Sequence, residues 1–175
     1  GSPTVSGGLL SYGDDALERV TSNTNFQYQA LRSYARMTDW NFSSPCAFHY
    51  DDFVGNISGD LAMWYIYNGS VSGVWGRTWT NVSGGTANAT DALLSPFSGF
   101  ATYELTWQSG QVDFFLNDSL IVTETVSVPT ASIPVILGTG SDTANGDIDV
   151  DWILVRDFID PEPSVNLGEE EADYS

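Results

Sequence analysis

Residues 103–118 read YELTWQSGQVDFFLND, and residues 147–156 read DIDVDWILVR. Both stretches are rich in aromatic and β-branched residues, and in both of them polar and apolar positions alternate. The first stretch is interrupted by Ser109-Gly110 and ends at Asn117-Asp118, residue pairs that are typical of tight turns. The pattern predicts short antiparallel strands joined by turns, with Trp107, Phe115 and Trp152 largely buried.

The same pattern extends over most of the chain. Its spacing and turn residues predict an all-β fold, a two-sheet antiparallel jelly-roll sandwich. One long loop is expected at 83–90. Strands are predicted near residues 26–37, 46–53, 61–67, 73–82, 101–108, 111–117, 119–128, 133–137 and 147–158.

Composition changes at both ends of the predicted sandwich. We divide the chain into an N-terminal extended arm with a first strand (1–25), the sandwich itself (26–158) and an acidic C-terminal arm (159–175). The last segment contains Pro161 and Pro163 and the acidic run 169–171, which do not suit a central strand. Arms of this kind can add a strand to a neighbour's sheet, so we expect self-association through them.

Charge limits the partners of the chain. Of its 175 residues, 23 are Asp or Glu and five are basic, all of them Arg, which gives a formal net charge of −18. Nucleic-acid phosphates and anionic lipid headgroups repel such a chain, so neither nucleic-acid binding nor attachment to a membrane surface is expected. Membrane insertion is not expected either, because no apolar stretch approaches the length of a membrane helix. Both a protein adapted to concentrated salt and a generic acidic secreted protein fit this composition.

Asparagine-linked glycosylation is the clearest modification that the sequence predicts. Ten asparagines would give about two Asn-X-Ser/Thr triplets by chance, because Ser and Thr fill 35 of 175 positions, and six triplets are present. This excess predicts a glycoprotein at the cell surface or outside the cell, although a Ser/Thr/Asn-rich loop composition without glycans is the alternative. The triplets begin at Asn41, Asn56, Asn68, Asn81, Asn88 and Asn117.

A family resemblance rests on the same strands. The pattern Tyr103-X-Leu105-X-Trp107-X-X-Gly110-X-Val112-X-Phe114-X-X-Asn117, closed by residues 150–155, resembles the last third of concanavalin A-like lectin/glucanase sandwiches. That superfamily includes family 16 glycoside hydrolases and laminin-G-like modules. The ending 151–156, followed by the Pro-containing segment 161–165, is similar to laminin-G-like modules of archaeal cell-surface proteins.

The resemblance implies two sheets, one of them curved into a concave face. In the hydrolases that face carries a nucleophile and an acid/base, both glutamates of a Glu-X-Asp-X-X-Glu type motif on one strand. We find no such motif in this chain and therefore expect no catalytic residues and no enzyme activity. The seven glutamates are Glu18, Glu104, Glu124, Glu162, Glu169, Glu170 and Glu171.

Two weaker sites remain open. Asp147, Asp149 and Asp151 alternate with apolar residues, so they form a solvated charge row, a Ca²⁺ site helped by Asp142 or Asn145, or a catalytic acid and base. Calcium is the one cofactor that the sequence suggests. Trp75, Arg77 and Trp79 share one face of a strand and are either sugar-binding residues or core.

The expected function is that of a non-enzymatic extracellular glycoprotein domain, a structural or adhesion subunit of a cell-surface assembly such as a filament, sheath or surface layer. A lectin-like module that binds glycans is one alternative. A divergent glycoside hydrolase is the other.

Overall fold

A computed structural model describes residues 4–12, 19–37, 43–49, 60–67, 73–80, 88–94, 99–139 and 148–159. Within these ranges every regular element is a β-strand, and none of the described residues forms a helix that could cross a membrane. The strands are β1 (Thr4–Ser6), β2 (Leu9–Tyr12), β3 (Arg19–Phe26), β4 (Gln29–Met37), β5 (Ser43–His49), β6 (Leu61–Tyr67), β7 (Gly73–Trp79), β8 (Asn88–Leu94), β9 (Ala101–Gln108), β10 (Gln111–Leu116), β11 (Ser119–Glu124), β12 (Ile133–Thr139) and β13 (Ile148–Asp157).

The strands form two sheets. Sheet A has seven strands in the order β1-β2-β13-β4-β9-β10-β11, and sheet B has six in the order β3-β12-β5-β6-β7-β8. Neighbouring strands pair antiparallel, and the strands of each sheet come from distant parts of the chain. The predicted all-β jelly-roll sandwich is confirmed.

Aromatic side chains from both sheets meet in the core. The Trp64 ring of β6 packs edge-on against Tyr103, with 5.9 Å between ring centroids, and against Phe114 at 5.4 Å. Its indole N–H donates a hydrogen bond to the Glu104 carbonyl oxygen at 2.9 Å, and that of Trp107 donates to the Pro129 carbonyl at 3.0 Å. Both buried indoles therefore have their single donor satisfied.

Burial of β9 fixes which side chains of sheet A face outward. Tyr103, Leu105 and Trp107 are fully buried in the core. Because side chains alternate along a strand, Thr102, Glu104 and Thr106 belong to the opposite face. We call this the outer face of sheet A. Cross-strand pairing extends it into rows, namely Trp152-Tyr34-Thr102, Leu154-Arg32-Glu104-Phe115 and Arg156-Ala30-Thr106-Asp113.

A β-bulge in β13 overturns one burial prediction. Val150 pairs with Ala35 but Trp152 pairs with Tyr34, so Asp151 is an extra residue in the strand. The extra residue moves Trp152 to the outer face, where it is 40% exposed instead of buried.

Phe115, also predicted to be buried, is only partly so, because it alternates with the inward-facing Phe114. Trp107 is buried as predicted.

Strand boundaries differ from the prediction at several places; β11, for example, ends at Glu124 and not at residue 128. The predicted loop at 83–90 overlaps β8, whose first residues pair with β7. The predicted first sandwich strand, 26–37, is β4 with the end of β3, because the chain turns at Gln27-Tyr28 and passes from sheet B to sheet A.

The N-terminal segment 1–25 contributes β1 and β2 to sheet A of its own chain and nearly all of β3 to sheet B. β2 pairs with the first residues of β13, with Tyr12 opposite Ile148 and Leu10 opposite Val150, and β1 pairs with β2. The C-terminal arm from residue 160 onward lies outside the described residues. Self-association through the arms stays a prediction.

Candidate functional site

A cleft of about 480 Å³ lies on the outer face of sheet A. It collects charged, amide and aromatic side chains from β4, β9, β10, the β10–β11 turn and the end of β13. The cleft therefore offers many hydrogen-bonding groups together with the ring surfaces of Phe115 and Phe158. The cleft is lined by Arg32, Glu104, Thr106, Gln108, Gln111, Asp113, Phe115, Asp118, Arg156 and Phe158.

Glu104 is held by two guanidinium groups. Arg156 Nη2 donates to Glu104 Oε1 at 2.8 Å, and Arg32 Nη1 lies 3.4 Å from Oε2. The Glu104 side chain is only 9% exposed, whereas the two arginines are about one third exposed. Charge-assisted hydrogen bonds of this kind fix the position of a carboxylate.

The β10–β11 turn places a second carboxylate beside Arg32. Asn117 and Asp118 have φ angles of +48° and +64°, values that a two-residue hairpin turn requires and that Asn and Asp tolerate. The Asn117 amide N–H donates to the Thr102 carbonyl at 2.9 Å, and its side-chain oxygen accepts from the Thr102 N–H at 3.0 Å. These two hydrogen bonds hold the turn against β9, in a position where Asp118 forms an ion pair with Arg32.

A third carboxylate, Asp113, lies diagonally across the strand pair from Glu104. Glu104 is opposite Phe115, and Asp113 is opposite Thr106, so the two acids are offset by two residues on one face. Residues in this relation have Cα atoms about 7–8 Å apart, and their Cβ atoms are somewhat closer. Asp113 accepts hydrogen bonds from Gln111 Nε2 at 2.8 Å and from the Thr123 hydroxyl.

The structure describes two of the four aspartates that were predicted to bind calcium. Asp149 Oδ2 accepts a hydrogen bond from Arg36 Nε at 2.7 Å, and Asp151 is exposed at the bulge. Asp142 and Asp147 lie outside the described residues. Within the part of the chain that is described, no three His, Cys, Asp or Glu side chains are grouped as metal ligands would be. Calcium binding remains a prediction.

The predicted sugar-binding residues lie on β7 of sheet B, away from the cleft. Arg77 alternates with Val74, Gly76 and Thr78, which are buried, and is itself partly buried. The side chains of Trp75 and Trp79 lie outside what the structure describes. This site stays a prediction.

The glycosylation triplets are only partly visible. Asn117 is exposed in the turn where it was predicted, and Asn88 begins β8. Asn41, Asn56, Asn68 and Asn81 lie outside the described residues.

Sequence reasoning missed the residues that surround Glu104. The arginines come from β4 and β13, at opposite ends of the chain, and only the order of strands in sheet A brings them together. The one feature of the sequence that points to these arginines is that Arg32 and Arg156 are two of only five basic residues and that both lie on predicted strands.

Solved structures resemble the whole sandwich. A prokaryotic β-1,3-1,4-glucanase (lichenase) from a mouse hindgut metagenome matches with a TM-score of 0.65 at 14% identity, over 89% of this chain and 83% of that one. The Bacillus licheniformis β-glucanase has a TM-score of 0.62 at 13% identity, over 85% and 78% of the two chains.

A family 16 glycoside hydrolase of the Bacteroides ovatus mixed-linkage glucan system, bound to a product, matches similarly. Its TM-score is 0.63 at 11% identity, over 84% of this chain and 80% of that one. No protein-family model and no curated protein sequence matches the chain. Identities this low show a shared fold, the concanavalin A-like sandwich.

These comparisons correct the functional expectation. The sequence predicted a non-enzymatic structural or adhesion subunit, but the similar structures are glucanases and other glycoside hydrolases. The prediction that the chain is no enzyme is contradicted by the same finding. Of the alternatives drawn from the sequence, the divergent glycoside hydrolase fits better.

Proposed function

We propose that the chain is a divergent glycoside hydrolase that cleaves a polysaccharide in the cleft on the outer face of sheet A. The observation that carries the proposal is the presence of two carboxylates, Glu104 and Asp113, diagonally across one cleft. Support comes from the sandwich shared with lichenase and other glucanases. Those enzymes act, by their names, on β-glucans.

The proposed acids lie on two strands instead of one. The seven glutamates supply no Glu-X-Asp-X-X-Glu motif, so the catalytic pair of this chain would differ from that of the hydrolases it resembles. Glu104 on β9 and Asp113 on β10 take its place in the proposal.

The expected spacing of the acids favours one stereochemical course. Retaining glycosidases have carboxyl groups about 5–5.5 Å apart, whereas inverting enzymes have them about 6.5–9.5 Å apart to leave room for a water. In a diagonal cross-strand pair the Cα atoms are about 7–8 Å apart, and we take the two carboxyl groups, which extend from the same face, to keep a spacing within the second range. We therefore propose single-step hydrolysis with inversion at the anomeric carbon.

The surroundings of the two carboxylates suggest their roles. Glu104 faces two guanidinium groups, which suit a group that acts as an anion, so it is the proposed base that activates the attacking water. Gln111 and Thr123, which donate hydrogen bonds to Asp113, are both neutral. Asp113 is the proposed acid, and its proton passes to the oxygen of the departing sugar as the glycosidic bond breaks.

Turnover of a defined substrate tests the proposal. Purified chain is incubated with mixed-linkage β-glucan, and new reducing ends are measured. Glu104→Gln and Asp113→Asn should each lower kcat by about 10²-fold or more, since each removes one proton-transfer group. Asp151→Asn, which changes an exposed carboxylate at the bulge, is the matched control and should leave kcat unchanged. Absence of turnover by the wild type, or equal effects of all three variants, would contradict the proposal.

We also propose that the chain acts outside the cell, on the surface of an archaeal cell. The six Asn-X-Ser/Thr triplets and the similarity of residues 151–165 to archaeal surface modules support this location. Protein from the native source should exceed the mass of the bare polypeptide, with glycan at Asn117 identified by peptide mass spectrometry. An unmodified mass would contradict it.

A further inference from the structure

The bulge at Asp151 gives the outer face of sheet A an exposed aromatic ring next to the cleft. Trp152 is 40% exposed, although tryptophan is mostly buried in sandwich cores. Bulges often lie beside active sites and change the direction of a side chain. Here the bulge turns the indole away from the core and onto the face that carries Glu104.

Two further rings hold the Trp152 indole in place. Its plane is 20° from that of Tyr34, with 6.0 Å between centroids, and Tyr34 stacks on Phe100 at 5.0 Å and 29°. Arg36 lies over the Phe100 ring at 5.1 Å and is itself fixed by Asp149. A supported ring loses little conformational freedom when a ligand stacks on it.

Within the described part of the chain, Trp152 is covered by a neighbouring strand on one side only. Tyr34 of β4 covers that side. β2 pairs with β13 only at residues 148–150, so no described strand lies beside Trp152 at the sheet edge. The neighbouring row of the sheet contains Leu154, Arg32 and Glu104, which places the ring one row from two residues that line the cleft, Arg32 and Glu104.

We propose that Trp152 is a stacking subsite for a neutral pyranose unit of a polysaccharide whose neighbouring units lie in the cleft. The location rests on the proposed function, because it takes the cleft as the saccharide site. A flat ring surface on the same face as the amide and hydroxyl groups of the cleft, such as those of Thr106, Gln108 and Gln111, matches a saccharide chain, whose sugar rings have apolar faces and polar rims.

The negative charge of the chain favours binding of a neutral saccharide over an acidic one. The chain carries a net charge of −18, which repels polyanions. The two arginines of the cleft are engaged with carboxylates, Arg156 with Glu104 and Arg32 with both Glu104 and Asp118. Uronate or sulfate groups would have to compete with these pairs.

Native gel electrophoresis through mixed-linkage β-glucan tests the subsite, because binding retards migration. Trp152→Ala should weaken the apparent affinity by about ten-fold, and Trp152→Tyr should restore most of it. Ile153→Ala is the matched control. Ile153 is equally exposed, at 40%, but it lines an apolar pocket with Val20 and Val135 on the opposite face, so its removal should not change retardation. Alginate, an acidic polysaccharide, should not retard the wild type.

The result separates the two proposals. In the turnover assay, Trp152→Ala should raise KM and leave kcat nearly unchanged. Retardation by β-glucan without hydrolysis would contradict the proposed function and support the subsite, provided that Trp152→Ala abolishes it. Hydrolysis with unchanged retardation and KM in Trp152→Ala would overturn the subsite alone. No retardation of the wild type, equal losses in Trp152→Ala and Ile153→Ala, or stronger retardation by alginate would also overturn it.

Discussion

Gly76 of β7 lies directly beneath the ring of Phe114 in β10, so that a Cβ on residue 76 would come within 2.7 Å of the ring carbons. This close approach joins the two sheets, because β7 belongs to sheet B and β10 to sheet A. Phe114 in turn packs edge-on against Trp64. The ring therefore has no free side toward which it could move without disturbing the core.

Gly76→Ala should accordingly lower the free energy of unfolding by about 1–3 kcal/mol, the usual cost of overpacking a core. Urea denaturation followed by tryptophan fluorescence measures the change. Gly99→Ala is the matched control, because nothing lies within 4 Å of a Cβ built there. Equal stability of Gly76→Ala and the wild type would show that the ring can shift without cost.

Tyr103 should make the fold sensitive to alkali. Burial raises the pKa of its phenol above the ordinary value near 10. Above pH 10 the unfolded chain releases this proton while the folded chain keeps it, so stability falls by about 1.4 kcal/mol per pH unit until the folded pKa is reached. Below pH 10 the group makes no difference.

Thermal unfolding between pH 8 and pH 11.5 checks this expectation. Tyr103→Phe should flatten the decline above pH 10, whereas Tyr34→Phe, a change on the outer face, should leave it in place. Parallel curves for the wild type and Tyr103→Phe would contradict it.

Two of the ion pairs described in the cleft should differ in strength. A double-mutant cycle with Glu104→Gln and Arg156→Met should give a coupling of about 1 kcal/mol, because Glu104 is only 9% exposed. The pair between Arg32 and Asp118 should give less and should weaken further in salt, since the Asp118 side chain is 72% exposed. A larger coupling at Asp118 would contradict this order.

Period-two alternation was sufficient to predict the sandwich. It assigns Tyr103, Leu105 and Trp107 to one face of β9, and all three are buried. The same rule fails after Val150, because one extra residue in β13 reverses the faces of every residue that follows. Nothing in the sequence DIDVDWILVR marks the position of that bulge.

The cleft could not be predicted for a different reason. Its charges lie on strands whose neighbours are set by the order β13-β4-β9-β10, and sequence spacing does not specify that order. Arg32 was one residue of a predicted strand, and Glu104 was an isolated glutamate. Only the cross-strand register makes them partners.

The most direct test of the account is the anomeric configuration of the first product. Proton NMR during digestion of mixed-linkage β-glucan distinguishes α- from β-reducing ends before they equilibrate. The diagonal placement of Glu104 and Asp113 predicts that α-anomers appear first and that neither Glu104→Gln nor Asp113→Asn forms them at a comparable rate. A product that is first β, or no product at all, would contradict the central claim.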